Sequence, residues 1–257
     1  MSAEDILDKP QPPADARVAY GADPNQFLEV RLPHARVPYP ALLNIHGGYW
    51  RAKYSLAHAG HLCEALRVAG IATFNTEYRR AGNPGGGWPG TFEDIRSAYR
   101  FLRQEHPRSH LDLDRFVVMG HSAGGQLALC LAAHEPSVRN VISLAGVVDL
   151  KQAFTRHLSN DAVVEFFGGK PDVVPDHYRE ADPMELSIPR TRQWVLHGRE
   201  DEVVPPEFSR DYASRKKRAG ESVELAEIPH AGHFDLIDPG SEAFKWVTSS
   251  VSAAIGN

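Results

Sequence analysis

The chain is poor in the features that mark several functional classes. Only two of its 257 residues are cysteine, Cys63 and Cys130. Both fall inside helical patterns and read as small buried apolar side chains rather than as a disulfide. No apolar stretch approaches the ~20 residues needed to span a bilayer. The first twenty residues, with Pro10, Pro12 and Pro13 among Asp, Glu and Ala, hold neither a basic n-region nor an apolar h-region, so no signal peptide is read. A soluble cytoplasmic protein without a membrane partner is the expectation. A dominant charge is missing too: 28 Lys and Arg face 33 Asp and Glu, for a net charge of -5. The one basic cluster, Arg215-Lys216-Lys217-Arg218, lies late in a helical pattern, where it complements the helix dipole. It reads as a solvated face, and no nucleic-acid partner is expected. Repeats and low-complexity tracts are absent as well.

What is present describes one domain of 1–257, long enough to bury a large core at 42% hydrophobic residues. Strand-like runs recur near 27–32, 41–45, 71–76, 116–119, 139–145, 193–197 and 223–228. Helical patterns lie near 56–69, 91–105, 122–134, 206–219 and 241–254. This alternation predicts an α/β fold with a mostly parallel central sheet, helices on both faces and an antiparallel edge at the N-terminal side. Residues 1–20 read as an N-terminal extension and 147–188 as a small lid-like insertion. Thr91 with Asp94 three residues on resembles a capping box.

The most informative segment is Gly120-His121-Ser122-Ala123-Gly124. It is a G-x-S-x-G pentapeptide between the β-branched run 116–119 and a small-residue helical run. Strand, sharp turn and helix in that order expose Ser122 Oγ on a strained turn, with a helix N-terminus behind it. A serine hydroxyl is a weak nucleophile at neutral pH, so it needs a base and a group to orient that base. Asp201 follows the strand-like run ending His197-Gly198, and His233 lies in a Gly-containing loop after the alternating run 223–228. The order Ser, acid, His is that of a nucleophile-elbow enzyme. Glu200, Glu202 and Asp149 are the alternative acids, and His230 is the alternative base. A metal site on His230 and His233 lacks a Cys or carboxylate companion at ligand spacing, so no metal is expected.

Acyl transfer also needs donors for a developing oxyanion. The strand-like run 41–45 ends in His46-Gly47-Gly48-Tyr49-Trp50, whose glycines let backbone N–H groups approach a substrate. The expected donors are the N–H of Ala123 and one or two from Gly47, Gly48 and Tyr49.

With these residues in view, the run from about residue 26 onward resembles the α/β-hydrolase superfamily. The similar branch contains small esterases, prolyl-oligopeptidase-like hydrolases and kynurenine formamidases. His46-Gly47-Gly48-Tyr49-Trp50 looks like the H-G-G-x-W motif of the formamidases. The elbow through Gly125 matches both formamidases and the feruloyl and acetyl-xylan esterase-like group. Glu77-Tyr78-Arg79, and Phe92-Glu93-Asp94-Ile95 after a Pro-bearing loop, are similar to the same branch. The resemblance implies an α/β-hydrolase fold and a Ser122-His233-Asp201 triad without cofactor, acting on a small ester or amide through an acyl-enzyme. Short-chain aryl or acetyl esters are the expected substrates, with N-formylkynurenine as the alternative and a catalytically silent binding protein as the reading from another class. Trp50 and Trp88 are the candidate walls of a small pocket. The aromatics of 147–188 (Phe154, Phe166, Phe167, Tyr178) read as packing. Oligomeric state is left open.

Overall fold

The computed structural model describes residues 3–256. Its centre is an eight-stranded sheet in the order β1-β2-β4-β3-β5-β6-β7-β8. The strands are β1 (Ala16–Ala19), β2 (Phe27–Arg31), β3 (Tyr39–Ile45), β4 (Ala72–Thr76), β5 (Leu111–His121), β6 (Asn140–Leu144), β7 (Arg192–Gly198) and β8 (Val223–Ile228). The pairs β1/β2 and β2/β4 are antiparallel and all others are parallel, as the N-terminal edge was expected to be.

A parallel sheet buried on both faces needs continuous apolar strands. Successive residues of β3 and β5 accordingly feed two separate cores. Leu43 and Val118 pack on one face with α2 (Gly90–Ser109), α3 (Ala123–His134) and α7 (Glu207–Arg218), through Ile95, Leu127 and Phe208. Leu42 and Val117 pack on the other with α1 (Gly60–Val68) and α8 (Phe244–Ile255), through Leu62 and Val251. Cys63 and Cys130 are free thiols inside these layers, and burial pushes the Cys63 pKa up to about 12.

Several elements depart from the sequence reading, each for a local reason. β1 lies in the expected extension; its four residues are all exposed, so no alternation of burial marks it. β5 begins five residues before the apolar run, because its charged start around Asp112, Asp114 and Arg115 is stabilised locally, with Arg115 Nε donating to Asp112 Oδ2 at 2.7 Å. Thr91 and Asp94 form no capping box. Thr91 Oγ1 donates to the Arg79 carbonyl, while Asp94 takes Arg79 Nη2 at 2.6 Å. In the basic cluster Lys216 is buried rather than solvated: its ammonium donates to the Leu186 carbonyl and lies 3.8 Å from Glu221. The segment 147–188 folds into three short helices, α4 (Leu150–Thr155), α5 (Ala162–Phe167) and α6 (Pro175–Ala181). Their Phe166, Phe167 and Tyr178 are buried in the core.

Candidate active site

Ser122 sits between the end of β5 and the start of α3 with φ 57° and ψ -119°, a left-handed conformation that costs a non-glycine residue energy. Close packing holds it there. A Cβ on Gly120 would fall 2.0 Å from the Gly124 carbonyl oxygen, and one on Gly124 would fall 2.0 Å from that of Ile45. Only hydrogen fits at either position, so β3, β5 and α3 meet at the turn. Ser122 N–H donates to the Leu144 carbonyl at 2.8 Å, which ties the turn to β6.

Asp201 follows β7 and His233 follows β8. His233 Nδ1 lies 2.7 Å from Asp201 Oδ2, with both groups nearly buried. Asp201 Oδ1 accepts the N–H groups of Val203 and Val204 at 2.8 Å each. Burial works to raise the Asp201 pKa, but the hydrogen bonds from His197 and His233 prevail and hold it well below the carboxylate range. The alternatives lie elsewhere. Asp149 caps α4 by accepting from Gln152 N–H at 2.8 Å. Glu200 pairs at 3.1 Å with an exposed His230, and Glu202 is exposed. Among the described residues no three His, Cys, Asp or Glu side chains are grouped to hold a metal ion.

Ser122 and His233 line one cavity of about 240 Å³ together with Leu7, Gly48, Tyr49, Tyr54, His58, His121, Ser159, Val203 and Phe234. Gly47 stands behind it: a Cβ there would lie 3.1 Å from Ser122 Cβ. Among the described residues no backbone carbonyl accepts from the N–H of Gly48, Tyr49 or Ala123, so these donors stay available beside Ser122. The glycine loop is fastened by Glu77 at the end of β4, whose Oε1 lies 3.0 Å from His46 Nε2 and whose Oε2 accepts Leu56 N–H at 3.1 Å. Arg80 Nη1 donates to the same carboxylate.

Trp50 and Trp88 do not line the cavity. Trp50 is buried, with its indole N–H 3.0 Å from Gln126 Oε1 and its ring stacked 4.7 Å from Phe166. Trp88 stacks on Phe92 at 5.3 Å. Both fasten the 147–188 segment to the core instead. The cavity walls that sequence reasoning missed are Leu7, Tyr54, His58, Ser159, Val203 and Phe234. Phe234 was the legible one, as the neighbour of His233, whereas Leu7 carries no local signal.

Two further histidines line the same cavity. His121 Nε2 donates to the His233 carbonyl at 3.0 Å, and its ring lies 4.5 Å from that of His233. Burial, with His233 next to it, drives the His121 pKa well below its ordinary value. Burial likewise pushes His58 down to about 3, aided by His46, so both present neutral imidazoles to the cavity.

A strained serine elbow at the centre of a mostly parallel sheet, with an aspartate and a histidine on loops after later strands, is the arrangement of the α/β-hydrolase fold. Residues 28–215 match the BD-FAE family model, and the chain belongs to that family. It is similar to esterase LipC of Mycobacterium tuberculosis, 29% identical over 248 residues that cover 86% of this chain, and it spans only 60% of LipC. It is also similar to kynurenine formamidase of Salmo salar, 22% identical over 86% of this chain and 75% of that protein. Among solved structures, a truncated form of carbohydrate esterase from gut microbiota superposes with a TM-score of 0.82 at 22% identity, covering 95% of this chain and 99% of the other.

Proposed function

We propose that this chain is a serine hydrolase of small uncharged carboxylic esters, with Ser122 as nucleophile, His233 as base and Asp201 as the acid that orients it. The observation that carries this reading is the 2.7 Å contact between His233 Nδ1 and Asp201 Oδ2, made beside the cavity that His233 shares with Ser122. With Nδ1 held by the carboxylate, Nε2 is left to take the Ser122 proton. Ser122 Oγ then bonds to the carbonyl carbon, and the N–H groups of Ala123, Gly48 and Tyr49 receive the negative oxygen. Collapse breaks the C–O bond, and His233 returns its proton to the leaving alkoxide. Water, deprotonated by the same imidazole, then attacks the acyl carbon; the Ser122 Oγ–C bond breaks and His233 returns the proton to Ser122 Oγ. The step needs no cofactor.

Substrate class follows from the lining. Tyr49, Tyr54, Val203, Phe234 and Leu7 are largely apolar, and among the described lining residues none is Lys, Arg, Asp or Glu. A charged substrate would enter without a counter-ion, which is costly away from water. N-formylkynurenine carries both a carboxylate and an ammonium, so the formamidase reading is the weaker one despite the relative of that name. The small volume favours short acyl groups.

Labelling with a fluorophosphonate, followed by peptide mapping, tests the reading together with a panel of p-nitrophenyl esters from acetate to octanoate and N-formylkynurenine. The expected result is label on Ser122 and turnover that declines stepwise with acyl length. Fast turnover of N-formylkynurenine alone would replace the ester reading with the formamide one. A folded protein that takes no label and turns over no compound in the panel would point to a binding role for the fold.

A further inference from the structure

The cavity has one wall from an unexpected place, the first residues of the chain. Ala3–Leu7 form a 3-10 helix. Ile6 is 1% exposed, in the same hydrophobic cluster as Leu62, Leu66 and Ile237. Leu7, the next residue, lines the cavity of Ser122 and His233, yet it keeps 36% of its surface exposed. The residues that follow are tied down in turn. Lys9 Nζ lies 3.6 Å from Asp238 Oδ2 on the loop beyond His233. His61 Nε2 donates to the Pro10 carbonyl at 3.1 Å, and Arg31 Nη2 donates to that of Pro12 at 2.7 Å.

A segment with no packing role would have neither a buried isoleucine nor three successive polar ties. These contacts hold the backbone on both sides of Leu7, which places its side chain at the cavity mouth. An exposed leucine that shares the cavity wall with Tyr54 and Phe234 is apolar surface that an apolar ligand group would cover.

The side of the substrate that meets Leu7 follows from the proton path, given the hydrolase reading above. His233 must deliver its proton to the leaving oxygen, so the alcohol portion lies toward the His233 loop. Lys9 joins the N-terminal segment to that same loop through Asp238. We propose that residues 3–12 form a fixed strap across the cavity mouth, and that Leu7 is a specificity-determining residue that packs against the alcohol portion of the ester and limits its length.

The test uses the full chain and two ester series. One varies the alcohol in alkyl acetates from ethyl to octyl; the other varies the acyl chain in p-nitrophenyl esters from acetate to octanoate. Leu7→Ala should raise the octyl-to-ethyl ratio of kcat/KM about tenfold, and Leu7→Trp should lower it by a similar factor, since methylene-sized changes in a hydrophobic pocket act on this scale. The acyl-series ratio should move less than about threefold in either variant. Because Leu7 is more than a third exposed, both variants should fold, and unchanged far-UV circular dichroism checks this. Ile6→Ala, which loosens the strap from its buried contact, should shift the ratio in the same direction as Leu7→Ala. An unmoved alcohol series in both Leu7 variants overturns the proposal, as does a shift confined to the acyl series. Wild-type protein that hydrolyses neither series fails the ester-hydrolase reading itself, a separate and recognisable result.

Discussion

His197 and His233 share one carboxylate oxygen. Asp201 Oδ2 lies 2.7 Å from His233 Nδ1 and 3.1 Å from His197 Nε2, while Oδ1 takes two backbone N–H groups. His197 Nε2 also faces the Val204 carbonyl at 2.8 Å, so that nitrogen carries the hydrogen and Nδ1 accepts from the Ser209 hydroxyl at 2.6 Å. The Asp201 carboxylate is thus held from four directions, and its direction toward His233 is set by a side chain outside the cavity.

His197→Phe should therefore lower kcat while leaving KM within about threefold, because it removes a positioning contact and no cavity wall. A hydrogen bond to a charged group contributes about 1.5–3 kcal/mol, which corresponds to a fall in kcat of about 10–100-fold. Ser209→Ala, one contact further out, should cost less. Steady-state kinetics on p-nitrophenyl acetate decide it: a KM increase with kcat unchanged would mean that His197 acts on binding rather than on Asp201.

The sequence made Ser122, Asp201 and His233 legible because each sits in a short run whose local pattern, strand then tight turn, is complete within a few residues. The parallel sheet was legible for the same reason, as the apolar runs 41–45 and 193–197 need no partner to be recognised. What could not be read depends on contacts between distant segments. Leu7 reaches the cavity through the packing of Ile6 and the ties of residues 9–12 to distant segments, and β1 exists through its ladder with β2. Trp50 and Trp88 misled because an aromatic beside a glycine loop looks the same in sequence whether it faces ligand or Phe166.

Asp201 also gives the stability curve an acid limb. Its folded pKa is depressed, so its contribution is present above the unfolded carboxylate value of about 3.9 and is lost as pH falls toward the folded value. Asp201→Asn removes this term. The difference in urea midpoint between wild type and variant should be largest near neutrality and should shrink steadily below about pH 4. The same variant should lose about 10⁴-fold in kcat if the imidazole needs the carboxylate for its tautomer. A midpoint difference that stays constant from pH 7 to pH 2 would show that the carboxylate charge contributes nothing to the fold.

Glu77 fastens the glycine loop from beneath. Burial works to raise its pKa, but His46, Arg80 and the Leu56 N–H hold it below the ordinary range, so the carboxylate is charged at its buried position. Removing one partner from a buried ion cluster costs about 3–5 kcal/mol, because the remaining charges are left without compensation. Glu77→Ala should fall in that range by denaturant unfolding. Glu77→Gln should retain more stability yet lose kcat, because His46 and the N–H groups after it are no longer held in place. Full activity in a folded Glu77→Gln protein would detach the loop geometry from this carboxylate.

Asp182 lies where α6 ends, and its pH effect has the opposite sign. Burial, with Asp149 nearby, raises its pKa to about 7, against the backbone N–H groups of Leu150, Met184 and Lys151. Oδ1 accepts Met184 N–H at 3.1 Å, while Oδ2 is buried and unpartnered among the described residues. Between the unfolded value of about 3.9 and the folded value, the native state keeps a proton that the unfolded chain has lost. Stability from this group therefore falls as pH rises from about 4 to 7 and levels off above that. Asp182→Asn keeps the oxygen that accepts from Met184 and removes the charge. It should match wild type near pH 4 and exceed it by about 2 kcal/mol at pH 8, once part of the desolvation cost is discounted for relaxation. Urea unfolding at pH 4, 6 and 8 reads the divergence directly. Parallel curves for the two proteins across this range would mean that Asp182 ionises without penalty, and that water or a rearranged backbone reaches Oδ2 in the folded state.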